Sequence, residues 1–504
     1  MTWRLGRCSS ALAIAAVLAP IAFGAQPASP AARALVLAHV TVIDVVRGQA
    51  TPDLDVTIVG NRITAVVRSG GVTRRNAQVV NATGKFLIPG LWDMHSHSLD
   101  RWEYSSLLNI ANGVTGFRDP GAVKAFSEIV KLRADVEAGR VFGPRFVAAG
   151  TIIDGSPSSR ATYVTIDTPE QMRAEVARRK TAGLDFIKVY TRLSRDAFLA
   201  VAAEGKRLGI PLDGHVPLSL TAVEASNAGM RSIEHSYRHR MACATEENRI
   251  RDLLLAQIKA VQAYDDPAYR STEDEAFRLG LDTYSADRCT ELGKAFARNG
   301  TWFVPTLVEM ATRFDSLFPG QPEFVERFKD PRTQYVPPHK VNEWRANQAF
   351  NMGQVEAMIA YRPINFDTLF DQRKREVANR LRMPADLHRG GARLLAGTDV
   401  DTTFPFLFYG FSLHDELGLL VKGGLTPIEA LRTATINPAE FLHREKDLGT
   451  VETGKLADLV LLDANPLELI SNTQKIAAVV ANGRYLPDPE LKKLLERAAL
   501  IVKK

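Results

Sequence analysis

Apolar and polar residues alternate with two different periods along the middle of this chain. Eight short apolar runs have the pattern of buried strands, and stretches with helical spacing separate them. This alternation indicates a parallel sheet with helical crossovers. The predicted strands are Gly90–Met94, Gly113–Arg118, Arg145–Thr151, Phe186–Tyr190, Pro211–Val216, Ser232–His235, Thr301–Leu307 and Arg393–Thr398.

Helix boundary signals support the same interpretation. Ser194 is a predicted N-cap of a helix that ends at Gly209, and Thr426 with Pro427 and Glu429 has the pattern of a capping box. Eight strand–helix units over roughly 300 residues match a barrel of about 250 residues with insertions. The sequence therefore predicts an α/β fold, a (β/α)8 TIM barrel at residues 89–447.

Both ends of the chain show short strands without intervening helices. Residues 35–88 contain strand-like runs separated by the turn Gly60-Asn61, and residues 448–490 contain apolar strands on either side of Asn465-Pro466. Two β-rich ends around a mixed middle predict a small β-sandwich composed from both chain ends.

Two long segments interrupt the alternation of strand and helix. They comprise residues 236–299 and 308–392, follow the sixth and seventh predicted strands, and are rich in charged and aromatic side chains. Loops after barrel strands lie on the catalytic face, and a simple connection needs only a few residues. We expect both segments to cover the barrel mouth and select the substrate. A dimer surface, and hence a homo-oligomer, is the competing interpretation.

The start of the chain has the layout of an export signal. Arg4 and Arg7 precede an apolar run from Ala11 to Phe23, and small residues lead to Ala25. This run is shorter than the roughly 20 residues that span a bilayer, which makes a retained membrane anchor the weaker alternative. We expect residues 1–24 to be a signal peptide and the mature protein to be periplasmic or secreted, without membrane association after cleavage.

Composition adds size, charge and redox expectations. The 504 residues are 45% hydrophobic, which suits a soluble protein with a full barrel core and an accessory domain. Signal removal would lower the formal charge of +6 by two, and the basic residues are spread along the chain, so we expect no nucleic-acid partner. Cys243 and Cys289 would remain as an even pair in an oxidising compartment, which predicts a disulfide. Two separate buried thiols are the alternative.

Candidate metal ligands lie at the ends of predicted strands. His95 and His97 are two residues apart, so both side chains point to the same side of a strand and can bind one ion. Alone this pair is weak evidence, because two polar histidines in a loop give the same pattern. Four other strands end on the face that carries barrel active sites, and each adds one candidate: Lys188, His215, His235 and Asp399.

Lys188 needs a separate explanation. A lysine, with an ordinary pKa of about 10.4, is poorly placed in an apolar strand beside metal ions, and burial favours its neutral amine. A neutral lysine can react with carbon dioxide to give a carbamate, whose two oxygens can bridge two metal ions. The competing interpretation is a lysine that forms a salt bridge with Asp185.

The motifs together resemble the amidohydrolase superfamily, and most closely its imidazolonepropionase-related branch. That branch includes Xaa-Pro dipeptidases, lysine- and arginine-releasing carboxypeptidases and ochratoxin-cleaving amidases. The resemblance covers nearly all of Leu35 to Tyr485 apart from the two long segments. It rests on six motifs: the run from Phe86 to His97, Ile187-Lys188-Val189-Tyr190, Gly214-His215-Val216, Ile233-Glu234-His235, Ala396-Gly397-Thr398-Asp399, and the run from Gly454 to Val460.

The resemblance implies a centre of two divalent metal ions. Zinc is the first expectation, although manganese, iron or cobalt also suit these ligands. Lys188 sets the sequence apart from imidazolonepropionase itself, whose mononuclear site would lack a bridge. The implied ligands are His95, His97 and Asp399 for the first ion, His215 and His235 for the second, and carboxylated Lys188 between them.

The implied activity is hydrolysis of an amide or peptide-like C–N bond in a small molecule, either an N-acyl amino acid or a dipeptide. A hydroxide shared by the two ions would attack, with Asp399 as the proton shuttle. Tyr190 is a candidate donor to the oxyanion, with packing near the mouth as its alternative role. Arg118 and Tyr237 are candidates to hold a substrate carboxylate, with structural salt bridges or hydrogen bonds as the alternative.

Two other functions stay open. The same metal pair would serve hydrolysis of a cyclic amide or of a C–N bond in a ring. A catalytically silent barrel that acts as a binding scaffold is the alternative from another class, although the intact ligand set argues against it.

Overall fold

The computed structural model of the protein describes residues 33–71, 76–235, 241–262, 275–317, 326–347 and 366–504. The predicted signal peptide and Tyr237 lie outside the described residues, as do parts of both long segments. Among the described helices, none is both long and apolar enough to cross a membrane.

Eighteen strands form three sheets within these residues. In chain order they are β1 (Leu35–Asp44), β2 (Gln49–Val59), β3 (Arg62–Arg68), β4 (Gln78–Asn81), β5 (Phe86–Pro89), β6 (Leu91–Asp93), β7 (Val114–Asp119), β8 (Arg145–Ala148), β9 (Ile153–Asp154), β10 (Val164–Thr165), β11 (Ile187–Val189), β12 (Leu212–Gly214), β13 (Ser232–Glu234), β14 (Trp302–Val304), β15 (Arg393–Leu394), β16 (Leu459–Leu462), β17 (Ile476–Ala481) and β18 (Arg484–Pro487).

The helices lie mostly between the strands of the middle region. They are α1 (Trp102–Ala111), α2 (Phe126–Glu137), α3 (Pro169–Ala182), α4 (Arg195–Leu208), α5 (Ala222–Asn227), α6 (Glu247–Gln262), α7 (Ala286–Asn299), α8 (Leu307–Leu317), α9 (Phe366–Arg389), α10 (Phe411–Lys422), α11 (Pro427–Thr433), α12 (Ile436–Phe441) and α13 (Asp488–Val502). Short 3-10 helices occupy Leu99–Arg101, Pro331–Tyr335 and Ile470–Gln474.

Strands from the two ends of the chain share one sheet. Its order is β18-β17-β16-β5-β1-β2-β3, with β4 beside β1. Antiparallel pairing of β16 with β5, which sets Leu461 opposite Leu87, joins the two ends. Side chains from both ends, among them Leu37, Val56 and Val480, pack into one apolar cluster. Strand pairing runs continuously through β1, so these strands form one hydrogen-bonded sheet.

The eight strands predicted in the middle region are present as β6, β7, β8, β11, β12, β13, β14 and β15. All of them pair in parallel with their neighbours, in one sheet of three strands and one of seven. Main-chain hydrogen bonds also connect the two sheets, from Met94 to Ala396 (2.8 Å) and from Asp185 to Ala148 (3.1 Å). The carboxyl ends of these strands therefore lie at one common edge.

Two features of the middle region were not predicted. Strands β9 and β10 form an excursion between β8 and α3, and β9 pairs with β11. Helix α13 follows the last strand and packs against α1, where Ala498 and Val502 join Leu107 in an apolar cluster.

A disulfide connects the two ends of the first long segment. Cys243 and Cys289 are bonded, with their Cα atoms 4.7 Å apart, and both are buried. The bond connects residues shortly after β13 to helix α7, which leads into β14. It therefore restrains the chain on both sides of the segment in between.

Candidate metal centre

The first two histidines are positioned by contacts between β6 and the turn after β15. The Asp93 carboxylate accepts hydrogen bonds from the N–H of His95 (3.2 Å) and from the Thr398 hydroxyl (2.7 Å). The backbone N–H of Asp399 donates to the carbonyl of His95 (2.7 Å). A Cβ atom on Gly397 would lie 2.7 Å from the Cβ of His95, so this approach requires glycine.

The predicted ligands converge on the carboxylate of Asp399. Its Oδ1 lies 3.1 Å from Nε2 of His95 and 3.2 Å from Nε2 of His97. Its Oδ2 lies 3.8 Å from Nδ1 of His235. The His235 ring stands 4.6 Å from that of His95 and 4.7 Å from that of His215. Three imidazoles from two strand ends therefore lie beside the carboxylate of Asp399, and His215 from a third strand end lies beside one of them, His235.

Threonine hydroxyls hold the two remaining histidines. Nδ1 of His235 lies 2.8 Å from the Thr306 hydroxyl, and Nδ1 of His215 lies 3.1 Å from the Thr191 hydroxyl. Each threonine stands just beyond a neighbouring strand, β14 or β11. Partners of this kind orient histidine ligands at metal sites.

Strained backbone is concentrated at this group. His235, Thr306 and Asp399 have φ angles of 68°, 48° and 55°, in the left-handed region that non-glycine residues rarely adopt. Such conformations cost of the order of 1–3 kcal/mol each and persist where the surrounding structure enforces them, often at functional sites. Here the strain turns three adjacent side chains toward one point.

Burial and neighbouring charges set the protonation of the group. Burial lowers the pKa of His95 to about 3 and that of His235 well below its usual range. Burial by itself would raise the pKa of Asp399, but the adjacent histidines hold it well below its usual range. Burial would likewise lower the pKa of His97, but its hydrogen bond to Asp399 and the charges of nearby carboxylates raise it to about 9. At neutral pH His95 and His235 are thus neutral, the form in which imidazole binds metals, whereas His97 is protonated and would have to release its proton to bind an ion.

Lys188 lies at the floor of the same cavity and is fully buried. Its ammonium contacts the carboxylate of Glu234. Burial, together with the charge of Arg118, holds the pKa of Lys188 well below its usual range. The alternative pairing with Asp185 is wrong, because that carboxylate contacts Arg133 and accepts the N–H of Ala148.

Arg118 does not reach a substrate, so its candidate role as a carboxylate ligand is wrong. The guanidinium is fully buried and does not line the cavity. Its nitrogens donate to the carbonyl of Met94 (2.6 Å), to Asp213 (3.1 Å) and to Glu234 (2.6 Å). These bonds confirm the alternative, a structural salt bridge.

An open cavity of about 530 Å³ lies above the group. Tyr190 lines it, with its ring 4.0 Å from that of His215 and 5.1 Å from that of Tyr163. The lining also includes Arg101, Arg160 and Tyr409. Sequence reasoning missed Tyr163 and Arg160, which lie in the excursion after β8. The length of this connection, on the face that carries barrel active sites, was the available signal.

The donor set fits divalent cations. Ligand atoms of His95, His235 and Asp399 all lie within 4.8 Å of one another. The 3.1 and 3.2 Å separations from Asp399 to His95 and His97 are those of donors that can share one ion at roughly 2 Å. Imidazole and carboxylate together suit zinc and related transition metals.

Both the sequence and the fold of the chain are similar to those of known proteins. The amidohydrolase family matches residues 354–486. An imidazolonepropionase from a Geobacillus species is 45% identical over 74 residues, which are 14% of this chain and only 17% of that relative. Two solved structures share the fold. A bottromycin amidohydrolase has a TM-score of 0.69 at 21% identity, covering 93% of this chain and 90% of its own. A Xaa-Pro dipeptidase has a TM-score of 0.61 at 18% identity, and the match covers 90% of this chain and 100% of the dipeptidase chain.

The sequence match and the structural likeness agree with the ligand motifs. Residues 354–486 include Asp399, around which the histidines gather. The chain therefore matches the amidohydrolase family over residues 354–486, and it has the fold of these two solved structures.

Proposed function

We propose that the protein is a metal-dependent hydrolase that cleaves an amide or peptide-like C–N bond in a small molecule. One observation carries the proposal: side chains from the ends of five parallel strands, namely His95, His97, Lys188, His215, His235 and Asp399, open into a single cavity. The family match and the shared fold support hydrolysis of C–N bonds in general.

The arrangement of strands supports a closed (β/α)8 barrel over residues 89–447, while the strands of the two chain ends form one continuous sheet rather than the predicted sandwich of two sheets. Arg118 on β7 reaches Asp213 on β12 and Glu234 on β13, although these strands belong to different sheets. Such contacts support an arrangement in which the two sheets face each other around a common interior. The hydrogen bond from Met94 to Ala396 links the first and last strands, as a closed barrel would require.

Two divalent ions, zinc first among the candidates, are the proposed cofactor. His95, His97 and Asp399 would hold one ion, His215 and His235 the other, and Lys188 after carboxylation would contribute to both. When bound, the ions would activate water and polarise the scissile carbonyl. The buried position of Lys188 between these groups supports a bridging role, which requires that Lys188 leave its contact with Glu234.

The side chains around the cavity supply proton transfer and orientation. Asp399 is ionised and lies at the centre of the histidines, so it can accept a proton from the attacking water and return it to the departing amine. Tyr190 lines the cavity beside His215, where its hydroxyl can donate to the developing oxyanion. Asp93 and Thr398 hold the backbone of His95 and Asp399 and so fix the distance between them.

An N-acyl amino acid or a dipeptide is the proposed substrate. The cavity volume of about 530 Å³ lies in the range of small-molecule sites. The two structural neighbours are named for an amide-cleaving enzyme and for a dipeptidase. The relative named imidazolonepropionase favours a second candidate, hydrolysis of a cyclic amide.

The segment after β14 is the proposed lid. Within it, Nε1 of Trp344 donates to the carbonyl of Thr402 (2.9 Å), and the Trp344 ring packs 5.7 Å from that of Phe406. The loop that carries Thr402 also contributes Asp401 and Phe404 to the cavity wall. This contact would let the lid shape the side of the cavity next to Asp399.

Metal analysis and a substrate panel test the function together. We expect about two zinc ions per chain in freshly purified protein and hydrolysis of some members of a panel of N-acyl amino acids, dipeptides and cyclic amides. D399A, purified in parallel, should be inactive, which excludes a contaminating hydrolase. Metal content near zero with no turnover would contradict the proposal and favour a silent scaffold.

Export to the periplasm or medium is proposed as well, on the pattern of residues 1–24. The disulfide between Cys243 and Cys289 supports an oxidising compartment. Expression of the full chain in a bacterial host, followed by fractionation and N-terminal sequencing, should find a mature form that begins near Ala25. A full-length protein confined to the cytoplasm would contradict export.

A further inference from the structure

Two arginines and two aspartates line the rim of the cavity: Arg101, Arg160, Asp100 and Asp401. Arg101 is next to Asp100 in the chain, and its Nη1 lies 3.5 Å from the Asp100 carbonyl.

Arg160 is the second arginine on the rim of the cavity. Within the described part of the chain, its guanidinium forms no ion pair with a carboxylate, while its side chain is exposed to the cavity and solvent. A planar guanidinium with open donors is well suited to bind a carboxylate through two hydrogen bonds.

The loop that carries Arg160 is fixed at both ends. Asp154 accepts the N–H groups of Ser159 (2.9 Å) and Arg192 (2.8 Å). Asp167 accepts the N–H of Ser156 (2.8 Å). The carbonyl of Arg160 itself accepts the hydroxyl of Ser158 (2.9 Å). Because the backbone is held in place, a ligand would have to order only the arginine side chain, which lowers the entropic cost of binding.

A row of rings leads from the candidate metal ligands to Arg160. His215 is adjacent to Tyr190, and Tyr190 contacts and hydrogen-bonds Tyr163. The backbone N–H of Tyr163 donates to the carbonyl of Arg160 (3.1 Å), and both side chains line the cavity beside Tyr190. A substrate that spans this row would place its reacting carbonyl at one end and an anionic group at the other.

We propose that Arg160 is an anion-binding subsite and that the substrate carries a carboxylate on the side of its scissile bond that faces the β9–β10 loop. This inference rests on the proposed function, to which it adds the residue that would bind the carboxylate of an N-acyl amino acid or dipeptide, and it disfavours an uncharged cyclic amide. It also assigns a specificity-determining role to the excursion between β9 and β10.

The test is a binding measurement that does not depend on turnover. The common L-amino acids and their carboxamides are compared as ligands of the metal-loaded protein, first by thermal shift and then by calorimetry. At least one amino acid should bind the native protein, while its carboxamide should bind weakly. R160M should weaken binding of the amino acid at least about tenfold and leave the carboxamide unchanged. R160K keeps the positive charge but loses the planar guanidinium that can donate two hydrogen bonds to one carboxylate, so its affinity for the amino acid should lie between those of R160M and the native protein.

The matched control is R298M, which removes one exposed arginine at the end of α7, outside the cavity lining. It should bind the amino acid like the native protein.

Equal binding of the amino acid by R160M and native protein, or the absence of any amino-acid binding, would overturn the inference. Hydrolysis of the panel amides by native protein would still support the proposed function in that event. Selective loss of binding in R160M without any amide hydrolysis would instead support the subsite and contradict the proposed function.

Discussion

At the scale of single residues, the site depends on side chains that are held in energetically unfavourable places. Lys188 is buried near Arg118 and the candidate metal ligands, and His235 and Asp399 have left-handed backbone conformations. A cation in such a position is costly unless it is paired or chemically modified. The surrounding strands supply the stability that keeps these residues where function needs them.

Substitution of Lys188 tests its proposed role between two ions. K188A should retain its fold, lower the metal content from about two ions per chain toward one, and reduce turnover on the order of 100-fold. Elemental analysis and steady-state kinetics on the same sample measure both effects. K131A, on the exposed face of α2, is the control and should change neither. Two ions and normal turnover in K188A would contradict the bridging role.

Glu416 provides a pH-dependent test of core stability away from the metal ligands. Its carboxylate is buried on α10 and accepts the N–H of Val308 (2.7 Å). Burial, with smaller contributions from the charges of Asp93 and Asp415, raises its pKa to about 8. Because the folded state binds this proton more tightly than the unfolded chain, its contribution to stability is present below a pH of about 4.5 and is lost as pH rises toward 8.

We therefore expect E416Q to remove part of this pH dependence. Relative to the native protein, its free energy of unfolding should improve by on the order of 2–4 kcal/mol as pH rises from about 5 to about 8, since one pKa unit corresponds to about 1.4 kcal/mol. Urea unfolding across this range measures the difference. E445Q, at an exposed position, should follow the native curve. Parallel curves for E416Q and native protein would contradict the raised pKa.

At the scale of elements, local capping residues determine where helices begin and end, and long-range contacts stabilise their positions in the fold. The Ser194 hydroxyl accepts the N–H of Ala197, and helix α4 ends at Gly209 in the left-handed conformation, as predicted. Thr426 and Glu429 form the predicted capping box of α11. The disulfide acts over a longer distance, because it links residues 46 positions apart within the first long segment.

Removal of this disulfide should destabilise the protein without removing its metals. The double variant C243S/C289S should lose about 2–4 kcal/mol of unfolding free energy, the usual contribution of a native disulfide. Chemical unfolding with and without reductant measures the loss: reductant should weaken the native protein and leave the variant unaffected. Two free thiols by mass spectrometry in protein recovered from the periplasm would contradict the bond.

At the scale of the whole molecule, distant parts of the chain complete one another. Strands from the two ends share a sheet, α13 covers α1, and the segment after β14 contacts the loop after Asp399 through Trp344. The reaction centre and the surface that would select the substrate thus belong to different parts of the chain. Specificity can then change without disturbing the metal ligands.

Trp344 tests this separation. W344A should change the ratio of kcat/KM between two panel substrates with different acyl groups by about tenfold or more, while metal content stays at the native level. W344F keeps an aromatic ring but loses the hydrogen bond to Thr402, so its effect on the ratio should be smaller. It keeps the prediction testable if W344A does not fold. An equal fall for all substrates, or loss of metal, would show that the contact is structural.

The sequence by itself determined the parts of this protein that depend on local pattern. The eight strands were predictable because each is a short apolar run bounded by polar or glycine residues, and the histidines were predictable as a group because they end those strands. Helix caps were predictable for the same reason, since a cap depends on residues three positions apart. The disulfide was predictable from the even number of cysteines that would remain after the expected removal of residues 1–24.

Only the tertiary structure decided which side chains meet. Asp185 and Lys188 are close in sequence, but an odd separation places them on opposite faces of a strand, so Lys188 contacts Glu234 instead. Arg118 stands at a strand end like the ligands, yet its side chain turns into the interior and meets carboxylates from β12 and β13. The excursion that brings Arg160 and Tyr163 to the cavity has no strong period, and its position depends on hydrogen bonds to Asp154 and Asp167 that only folding creates.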